Sequence, residues 1–505
     1  MSALRLSEKG YRVLVLERGR WYAAEDFPKT NWNLRKWLWM PRLRMFGIMK
    51  MSIFRHITIV SGSGVGGGSL VYANTLPRPE SPFFESGSWR DLRDWESTLD
   101  PHYATALKML GASPNPLLFD ADKALEKLAD ELGRPEHFSR PDVSVYFGSP
   151  GREVDDPYFD GKGPSRTGCV HCGACMTGCP YNAKNTLDKN YLHLAQGHGA
   201  QILAEREVVG VEPLDSAGYK VTTRSVVRRL GVGKKETFTA RGVVFSAGVL
   251  GTLALLLKLK ETSLPNLSDR LGEDIRTNNE TLISVSSLDD SLDMSKGLAI
   301  GSLLQTDESS HLEVVRYAEG SGFWRLLHLP VAHGKNFASR FLGMLRALIT
   351  SPLGYFRIYT RSWSRHTSVL LFMQTIDSTL SFRRSAFSFL FGPLRSLVAT
   401  GAPPSPNIPA SNELASKYAD ITGGKLTSFA LETISGIPST AHILGGAVMG
   451  ASASEGVIDS ANRVFGYDNM LVIDGSMISA NPGVNPSLSI TAIAEHAMSL
   501  VPVAK

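Results

Sequence analysis

The sequence predicts an α/β protein of two interleaved domains, and three stretches carry that prediction. Residues 11–17 form an apolar run that ends in an acid, residues 61–74 are rich in glycine, and residues 242–258 pass from an apolar run through small residues into a helical pattern. Each stretch places a glycine or an acid at the end of a buried strand, which is where parallel sheets bind nucleotides. Together they are typical of a Rossmann-like domain.

Length and composition limit the alternatives. A chain of 505 residues is too long for a single hydrophobic core. We expect a discontinuous nucleotide-binding domain of residues 1–83, 200–285 and 435–505, and an α+β substrate-binding domain of residues 84–199 and 286–434. An apolar content of 43% and a net charge of +5 are ordinary for a globular protein and predict no nucleic-acid partner. No apolar run approaches the roughly 18 residues of a membrane-spanning helix.

The first residues match the second half of a nucleotide-binding βαβ unit. Residues 2–10 have the spacing of a short helix, and residues 11–17 form the following strand, so Glu17 is expected to hold the ribose hydroxyls of an adenosine. The first strand and its Gly-x-Gly-x-x-Gly turn would then lie before Met1. We therefore expect a truncated chain or a start that was assigned too late. The alternative is a variant that binds its nucleotide weakly or not at all.

The glycine-rich stretch has the composition of a phosphate-binding loop. Glycines allow backbone N–H groups to approach phosphate oxygens closely, and Ser69 is expected to begin a helix whose N-terminus faces the anion. A flexible linker fits less well, because the strand-like residues 56–60 lead directly into the stretch. The residues expected at the phosphates are Gly64, Gly66, Gly67, Gly68 and Ser69.

All the cysteines of the chain lie close together and precede a proline: Cys169, Cys172, Cys175 and Cys179. Their C-x2-C-x2-C-x3-C-P spacing is that of bacterial ferredoxin clusters, so iron–sulfur ligands are one interpretation. A zinc site and reduced structural thiols are the others, while such close spacing disfavours two unstrained disulfides. All three interpretations favour a reducing, cytoplasmic location.

The C-terminal part combines a strand, a polar loop and a helix. Residues 470–473 are apolar and precede Asp474 and Gly475, and residues 487–500 have helical spacing. The strand end, the loop and the helix N-terminus together form a place where a cofactor can meet polar side chains. Taken singly, His442 and Asn485 are better explained as a packed core histidine and a turn asparagine.

The sequence around these two residues resembles the glucose–methanol–choline (GMC) family of flavoprotein oxidoreductases, and within it the cholesterol-oxidase-like branch. The likeness rests on His442 followed by Ile-Leu-Gly-Gly, and on Asn485 followed by Pro486. It implies that His442 and Asn485 lie at the flavin ring of FAD, beside the substrate hydroxyl, with Pro486 at the cofactor.

The resemblance extends to other stretches. Residues 61–74 and 242–258 are similar to the two GMC signature motifs, and residues 178–184 to a Cys-rich family segment that accounts for the cysteines without a cluster. One departure is Tyr72, which stands where such proteins tend to have asparagine; Asn74 follows two residues later. Further FAD contacts are implied for Val208, Ala247, Gly248, Asp474 and Gly475.

The implied function is FAD-dependent oxidation of a secondary alcohol, with the 3β-hydroxyl of a sterol as the expected substrate and O2 or a carrier as electron acceptor. Glu313 matches a family glutamate that moves a proton between sterol carbons and so shifts the double bond, and Glu319 is the alternative. Two other interpretations stay open. One is a dehydrogenase of another lipid alcohol that passes electrons through an iron–sulfur cluster; the other is a truncated, non-catalytic relic.

One segment also suggests a membrane partner. Residues 320–412 carry ten Lys or Arg residues and a single acid, Asp377, together with apolar runs at residues 341–349 and 387–391. This composition favours peripheral contact with an anionic membrane surface. A pair of core helices whose charges face water is the alternative.

Overall fold

A computed structural model describes residues 1–227, 233–332, 334, 336–386, 392–398 and 403–504. The architecture combines short parallel strands with a large antiparallel sheet, as the predicted pairing of a Rossmann-like domain with an α+β domain requires.

The helices each present apolar residues to the core. Those of seven or more residues are α1 (Ser2–Glu8), α2 (Trp95–Met109), α3 (Asp120–Glu131), α4 (Tyr191–Gly197), α5 (Gly248–Lys260), α6 (Phe337–Thr350), α7 (Pro352–Thr360), α8 (Pro409–Thr422) and α9 (Ser487–Ser499). In α3, Ala121, Leu125 and Leu128 are buried at helical spacing. Helix α6 is the exception, because none of its residues is fully buried.

The strands of three or more residues include those predicted at residues 11–17, 56–60 and 470–473. They are β1 (Leu14–Leu16), β2 (Met49–Ile53), β3 (Thr58–Gly62), β4 (Gln201–Leu203), β5 (Arg206–Pro213), β6 (Tyr219–Ser225), β7 (Lys235–Ala240), β8 (Val243–Phe245), β9 (Thr281–Ser287), β10 (Ile300–Gln305), β11 (Ser310–Val315), β12 (His328–Pro330), β13 (Thr367–Gln374), β14 (Leu380–Arg384), β15 (Leu394–Val398), β16 (Gly424–Phe429) and β17 (Met470–Val472).

Two parallel pairs form the nucleotide-binding part. Strand β1 pairs with β4, and β8 pairs with β17. Glu17 follows β1, and Asp474 follows β17 after one residue, so both acids lie at carboxyl ends of parallel strands, as predicted. Strands β5, β6 and β7 form an antiparallel meander.

The second part is built on a seven-stranded sheet with the order β12-β16-β9-β13-β11-β10 and a last short strand at Phe138–Ser139. Neighbouring strands in it are antiparallel. Helices α3 and α8 cover one face through a cluster that includes Leu128, Leu312, Phe372 and Tyr418. Strand β11 is buried along its whole length, which places Glu313 in the interior.

One predicted element was wrong. The helix expected to begin at Ser69 is a single 3₁₀ turn, Gly67–Leu70. The Ser69 hydroxyl donates a hydrogen bond to Gly66 O at 2.7 Å and accepts one from Leu187 N at 2.9 Å. It therefore stabilises the turn and binds a segment distant in sequence. The domain boundaries and the expected strand before Met1 stay predictions.

A buried ion pair fixes the antiparallel sheet to helix α3. Arg316, directly after β11, donates from Nη1 to Asp122 Oδ2 at 2.8 Å, and both side chains are at most 1% exposed. Asp122 also accepts a hydrogen bond from Ser302 on β10 at 2.7 Å. The pair therefore ties α3, β10 and β11 together three residues from Glu313.

Replacing Arg316 by leucine is expected to destabilise the fold by about 3–5 kcal/mol, because Asp122 would stay buried as a charge without its partner. Urea unfolding followed by circular dichroism measures the loss. The exposed pair Arg90–Asp91 supplies the control, and Arg90→Leu should cost less than about 1 kcal/mol. A similarly small cost for Arg316→Leu would contradict this account of the sheet.

Candidate active site

A cavity of about 2590 Å³ extends between the parallel strand pairs and the antiparallel sheet. It exceeds the roughly 300–1,000 Å³ of a pocket for one drug-sized ligand, so it has room for a dinucleotide and a second molecule. His442 and Asn485 line it, whereas Gly64 and Glu313 do not. The other predicted cofactor residues also line it: Glu17, Gly66, Gly67, Gly68, Ser69, Val208, Ala247, Gly248, Asp474, Gly475 and Pro486.

Gly64 and Glu17 meet at the end of β1. Glu17 Oε1 accepts a hydrogen bond from Gly19 N at 2.6 Å, and burial raises the pKa of its carboxyl despite the N–H groups of Gly19 and Gly64. Gly64 has a φ of +143°, and a Cβ on Gly19 would lie 2.3 Å from Gly64 N. Both positions therefore require glycine. Gly64 packs against the backbone of Gly19 and does not line the cavity.

The rest of the glycine loop faces open space. A Cβ added at Gly67 or Gly68 would meet nothing within 4 Å, and Gly66 has a φ of +112°. An exposed backbone of this kind lets a phosphate group approach N–H groups directly. Beyond it, Tyr72 lines the cavity while Asn74 is fully buried.

A β-bulge brings Val208 to the cavity. The register of β5 against β6 shifts between Val208 and Gly210, and Val209 O turns to accept a hydrogen bond from Lys258 Nζ at 2.5 Å. Such a bulge bends the strand and exposes its main chain, which fits the predicted main-chain contact with the adenine.

Asp474 connects the segments that follow the two strands of the β8–β17 pair. Its Oδ2 accepts a hydrogen bond from Thr252 on α5 at 2.5 Å, and its Oδ1 accepts one from Ser476 N at 2.8 Å. Burial raises the pKa of Asp474, and these hydrogen bonds counter part of that effect. Asp474 thereby holds Ala247 and Gly248, at the start of α5, against the turn at Gly475.

His442 is held by an acid that the sequence interpretation missed. Its Nδ1 lies 2.5 Å from Glu280 Oε2, and Glu280 Oε1 accepts a hydrogen bond from Ala441 N at 2.6 Å. Burial disfavours the charged ring, yet the carboxylates of Glu280 and Glu313 raise the pKa of His442 above its ordinary value. Glu280 directly precedes β9 and ends a run of polar residues, 277–280. That polar run before a buried strand is the sequence feature from which a site residue here could have been predicted.

Asn485 connects His442 to Glu313. Its Nδ2 lies 3.4 Å from His442 Nε2 and 3.3 Å from Glu313 Oε2. With the amide in this orientation, Nε2 of His442 is the acceptor and Nδ1 carries the proton toward Glu280. Among the described residues, Asn485 Oδ1 has no hydrogen-bond partner, so it is available to a ligand.

Glu313 lies behind Asn485, away from the cavity. Its side chain is fully buried, and its Oε1 lies 3.6 Å from Nε2 of His311, beyond hydrogen-bond distance. His311 stands two residues before Glu313 on β11, and no sequence pattern had singled it out. Glu319, the alternative to Glu313, pairs with Lys296 on the surface.

The cysteines form a packed cluster. All four are free thiols, and burial raises the pKa of Cys172 to about 12. Within the described ranges, no group of three or more His, Cys, Asp and Glu is arranged to hold a metal ion. The iron–sulfur and zinc interpretations of Cys169, Cys172, Cys175 and Cys179 therefore find no support.

A lysine links this cluster to the glycine loop. Lys184 is buried, and its ammonium donates to Leu70 O at 3.1 Å, Tyr72 O at 2.9 Å and Cys175 O at 2.8 Å. The Cys-rich segment thus supports the loop that follows the expected phosphate site.

The geometry as a whole separates two environments. The end of the cavity near Glu17 and the glycine loop offers backbone N–H groups, while the end near His442 has apolar walls formed by β10, β11 and β13. His442 and Asn485 lie where the two meet. A hydrogen-bonded imidazole between a loop of backbone N–H groups and an apolar chamber is the arrangement from which a function can be proposed.

Comparisons with known proteins agree with this arrangement. The GMC oxidoreductase family profiles match residues 164–259 and 394–494. A cholesterol oxidase of Acinetobacter baumannii is 43% identical over 514 residues, covering 99% of this chain and 92% of that protein. A cholesterol oxidase of Mycobacterium tuberculosis is 42% identical over 522 residues, covering 99% and 89%.

Solved structures show the same fold at low identity. Pyridoxine 4-oxidase from Mesorbium loti superposes with a TM-score of 0.60 at 15% identity, covering 98% of this chain and 96% of that one. An FAD-dependent oxidoreductase from Chaetomium thermophilum gives 0.59 at 13% identity, covering 99% and 96%. With two cholesterol oxidases above 40% identity along nearly its whole length, the chain belongs to the GMC oxidoreductase family.

Proposed function

We propose that this chain oxidises the 3β-hydroxyl of a sterol to the ketone with FAD as cofactor and O2 as electron acceptor. The observation that carries the proposal is the hydrogen-bonded row of Glu280, His442 and Asn485, which lies at the junction of a nucleotide-sized cavity with an apolar chamber. The similarity to cholesterol oxidases supports the substrate class.

The cavity residues fit FAD. Gly67 and Gly68 leave room for the diphosphate, Glu17 stands where the adenosine ribose is expected, and Val208 offers its main chain to the adenine. The orphaned Oδ1 of Asn485 and the turn at Gly475 would meet the flavin end. When bound, FAD supplies the hydride acceptor, which no side chain can provide.

The protein's own groups would position the hydroxyl and take its proton. His442 accepts the proton at Nε2, because Glu280 holds the other nitrogen as Nδ1–H. Asn485 orients the hydroxyl through its amide. The apolar wall receives the sterol rings and excludes water; it includes Ile300, Val315, Trp324, Trp363, Leu371 and Phe429.

Glu313 is proposed to move the proton that isomerises the double bond. Its carboxylate contacts Asn485 and does not line the cavity, so this role requires rotation of the side chain toward the substrate. No observation favours the iron–sulfur dehydrogenase or the non-catalytic relic over oxidation of a sterol.

We also propose that helices α6 and α7 contact an anionic lipid bilayer. No helix among the described residues is long and apolar enough to cross a membrane. These two helices nevertheless expose a band of large apolar side chains, 44–76% accessible: Phe337, Phe341, Leu342, Ile349, Leu353 and Phe356. We call this band the α6–α7 surface.

Part of the positive charge of the segment is left for an anionic partner. Its one acid, Asp377, is bound by Arg276, whose Nε donates to Oδ1 at 2.8 Å. Four of its arginines pair with acids outside the segment: Arg357 and Arg361 with Asp290, Arg383 with Glu273 and Arg384 with Glu261. Arg346 is exposed beside the α6–α7 surface. Lys335 and residues 387–391 of the segment lie outside the described residues. A bilayer contact of this kind would place the enzyme where sterols reside.

Replacing His442 by alanine is expected to lower turnover of cholesterol by about 100- to 10,000-fold, because the positioned proton acceptor is lost. Bound flavin, measured by absorbance near 450 nm after purification, should stay close to that of the wild type. Asn485→Ala should behave in the same direction. Unchanged turnover in flavin-loaded His442→Ala would refute the assignment.

The pH profile tests the role of Glu280. His442 must be neutral to accept a proton, so kcat/KM should fall as the pH drops through its raised pKa. Glu280→Gln removes the carboxylate that favours the imidazolium, which lowers that pKa and moves the acid limb to lower pH, with a lower plateau. Glu319→Gln, on the surface, is the matched control and should leave the profile unchanged. An acid limb that stays in place in Glu280→Gln would exclude His442 as its origin.

Liposome binding tests the membrane proposal. Arg346→Gln should weaken binding to phosphatidylserine vesicles by about fivefold, since a cation near an anionic bilayer contributes about 1 kcal/mol. Ile349→Ser and Phe356→Ser should weaken binding at high salt as well, because apolar contact is not screened. Arg90→Gln, outside the segment, serves as the control. If all these variants bind as the wild type does, α6 and α7 are an ordinary part of the substrate domain.

A further inference from the structure

Two cations in the cavity lack partners. Arg18 and Lys50 both line the cavity, and neither makes a hydrogen bond or an ion pair with any described residue. They lie close enough to repel each other, since Arg18 is among the groups that lower the pKa of Lys50. Burial and a neighbouring like charge favour the neutral form of an amine, and an anion that joins the two groups favours the charged form.

Both cations lie on segments next to the expected phosphate site. Lys50 on β2 stands directly opposite Ser61 on β3, one residue before the glycine loop begins at Gly62, and cross-strand partners share a face of the sheet. Arg18 follows Glu17, the residue at the expected ribose. The phosphate attached to that ribose would lie between the two cations.

The nearby acids are already engaged. Glu207, on β5, is the acid that favours the charged form of Lys50, but its Oε2 accepts a hydrogen bond from Arg224 at 2.6 Å. Glu17 is bound by the N–H of Gly19 at 2.6 Å, and Arg18 favours its ionised form without a hydrogen bond or salt bridge to it. Neither carboxylate therefore pairs directly with Lys50 or Arg18.

We propose that Lys50 and Arg18 form a cation pair that binds the diphosphate of FAD. The proposal rests on the proposed function insofar as FAD is the cofactor, but it is independent of the sterol. It adds a charged contact to a site otherwise built from the backbone N–H groups of the glycine loop.

Protonation of Lys50 should accompany cofactor binding. Burial, and then Arg18, lower the pKa of Lys50 to about 7, with Glu207 opposing. An anion at the site favours the charged amine and raises that pKa. Because the pKa of this amine is lowered toward neutral pH in the empty protein, anion binding there takes up a proton.

The experiment measures FAD and ADP binding to protein stripped of flavin, by isothermal titration in two buffers of different ionisation enthalpy. Lys50→Met should weaken both ligands about 10- to 100-fold, reduce the salt dependence and abolish the proton uptake. Lys50→Arg should keep most of the affinity but also lose the uptake, because arginine stays charged. Riboflavin, which has no phosphate, should bind all variants alike.

Lys220→Met is the control, since Lys220 is exposed and paired with Glu212. Melting temperatures of the stripped proteins exclude a folding defect, and Lys50→Arg carries the test if Lys50→Met does not fold. Wild-type affinity of Lys50→Met for ADP, or proton uptake that persists in Lys50→Arg, would overturn the cation pair while leaving the proposed oxidation intact. Wild-type protein that binds neither FAD nor ADP would overturn both.

Discussion

The hydrogen bond between Glu280 and His442 joins the two parts of the molecule at the site of chemistry. Glu280 enters from the antiparallel sheet at the start of β9, while His442 follows the short strand Ser439–Thr440, which pairs with β3 and so with the glycine loop. The same carboxylate also holds the N–H of Ala441. The His442 ring is thereby fixed relative to both the glycine loop and the apolar chamber, and the proposed proton transfer depends on that positioning.

Much of this arrangement follows from local sequence. Apolar runs ending in Glu17 and Asp474 predict parallel strands because a strand that is covered on both faces shows no polar alternation. Glycines with positive φ, such as Gly64 and Gly66, mark the loop because only glycine adopts those angles at little cost. Motif resemblance then gave roles to His442 and Asn485 that single residues cannot reveal.

What escaped the sequence depends on contacts between distant segments. Glu280 lies 162 positions from His442, and no periodicity connects them. Ser69 looked like a helix start, but its hydroxyl is used by Leu187 from a different segment. The cysteine spacing was ambiguous because it fixes distances along the chain, whereas metal binding requires the thiols to converge and ionise.

The contact between Gly19 and Gly64 limits how such proteins can be recombined. The two glycines belong to separate motifs, yet a Cβ on Gly19 would overlap the backbone of Gly64, and one on Gly64 would press on Leu70 and Tyr22 at 2.6 and 2.7 Å. A chimera that exchanges one loop and keeps the other must therefore preserve both backbones at once. In protein engineering, the two loops must therefore be exchanged together, although more than forty residues of chain lie between them.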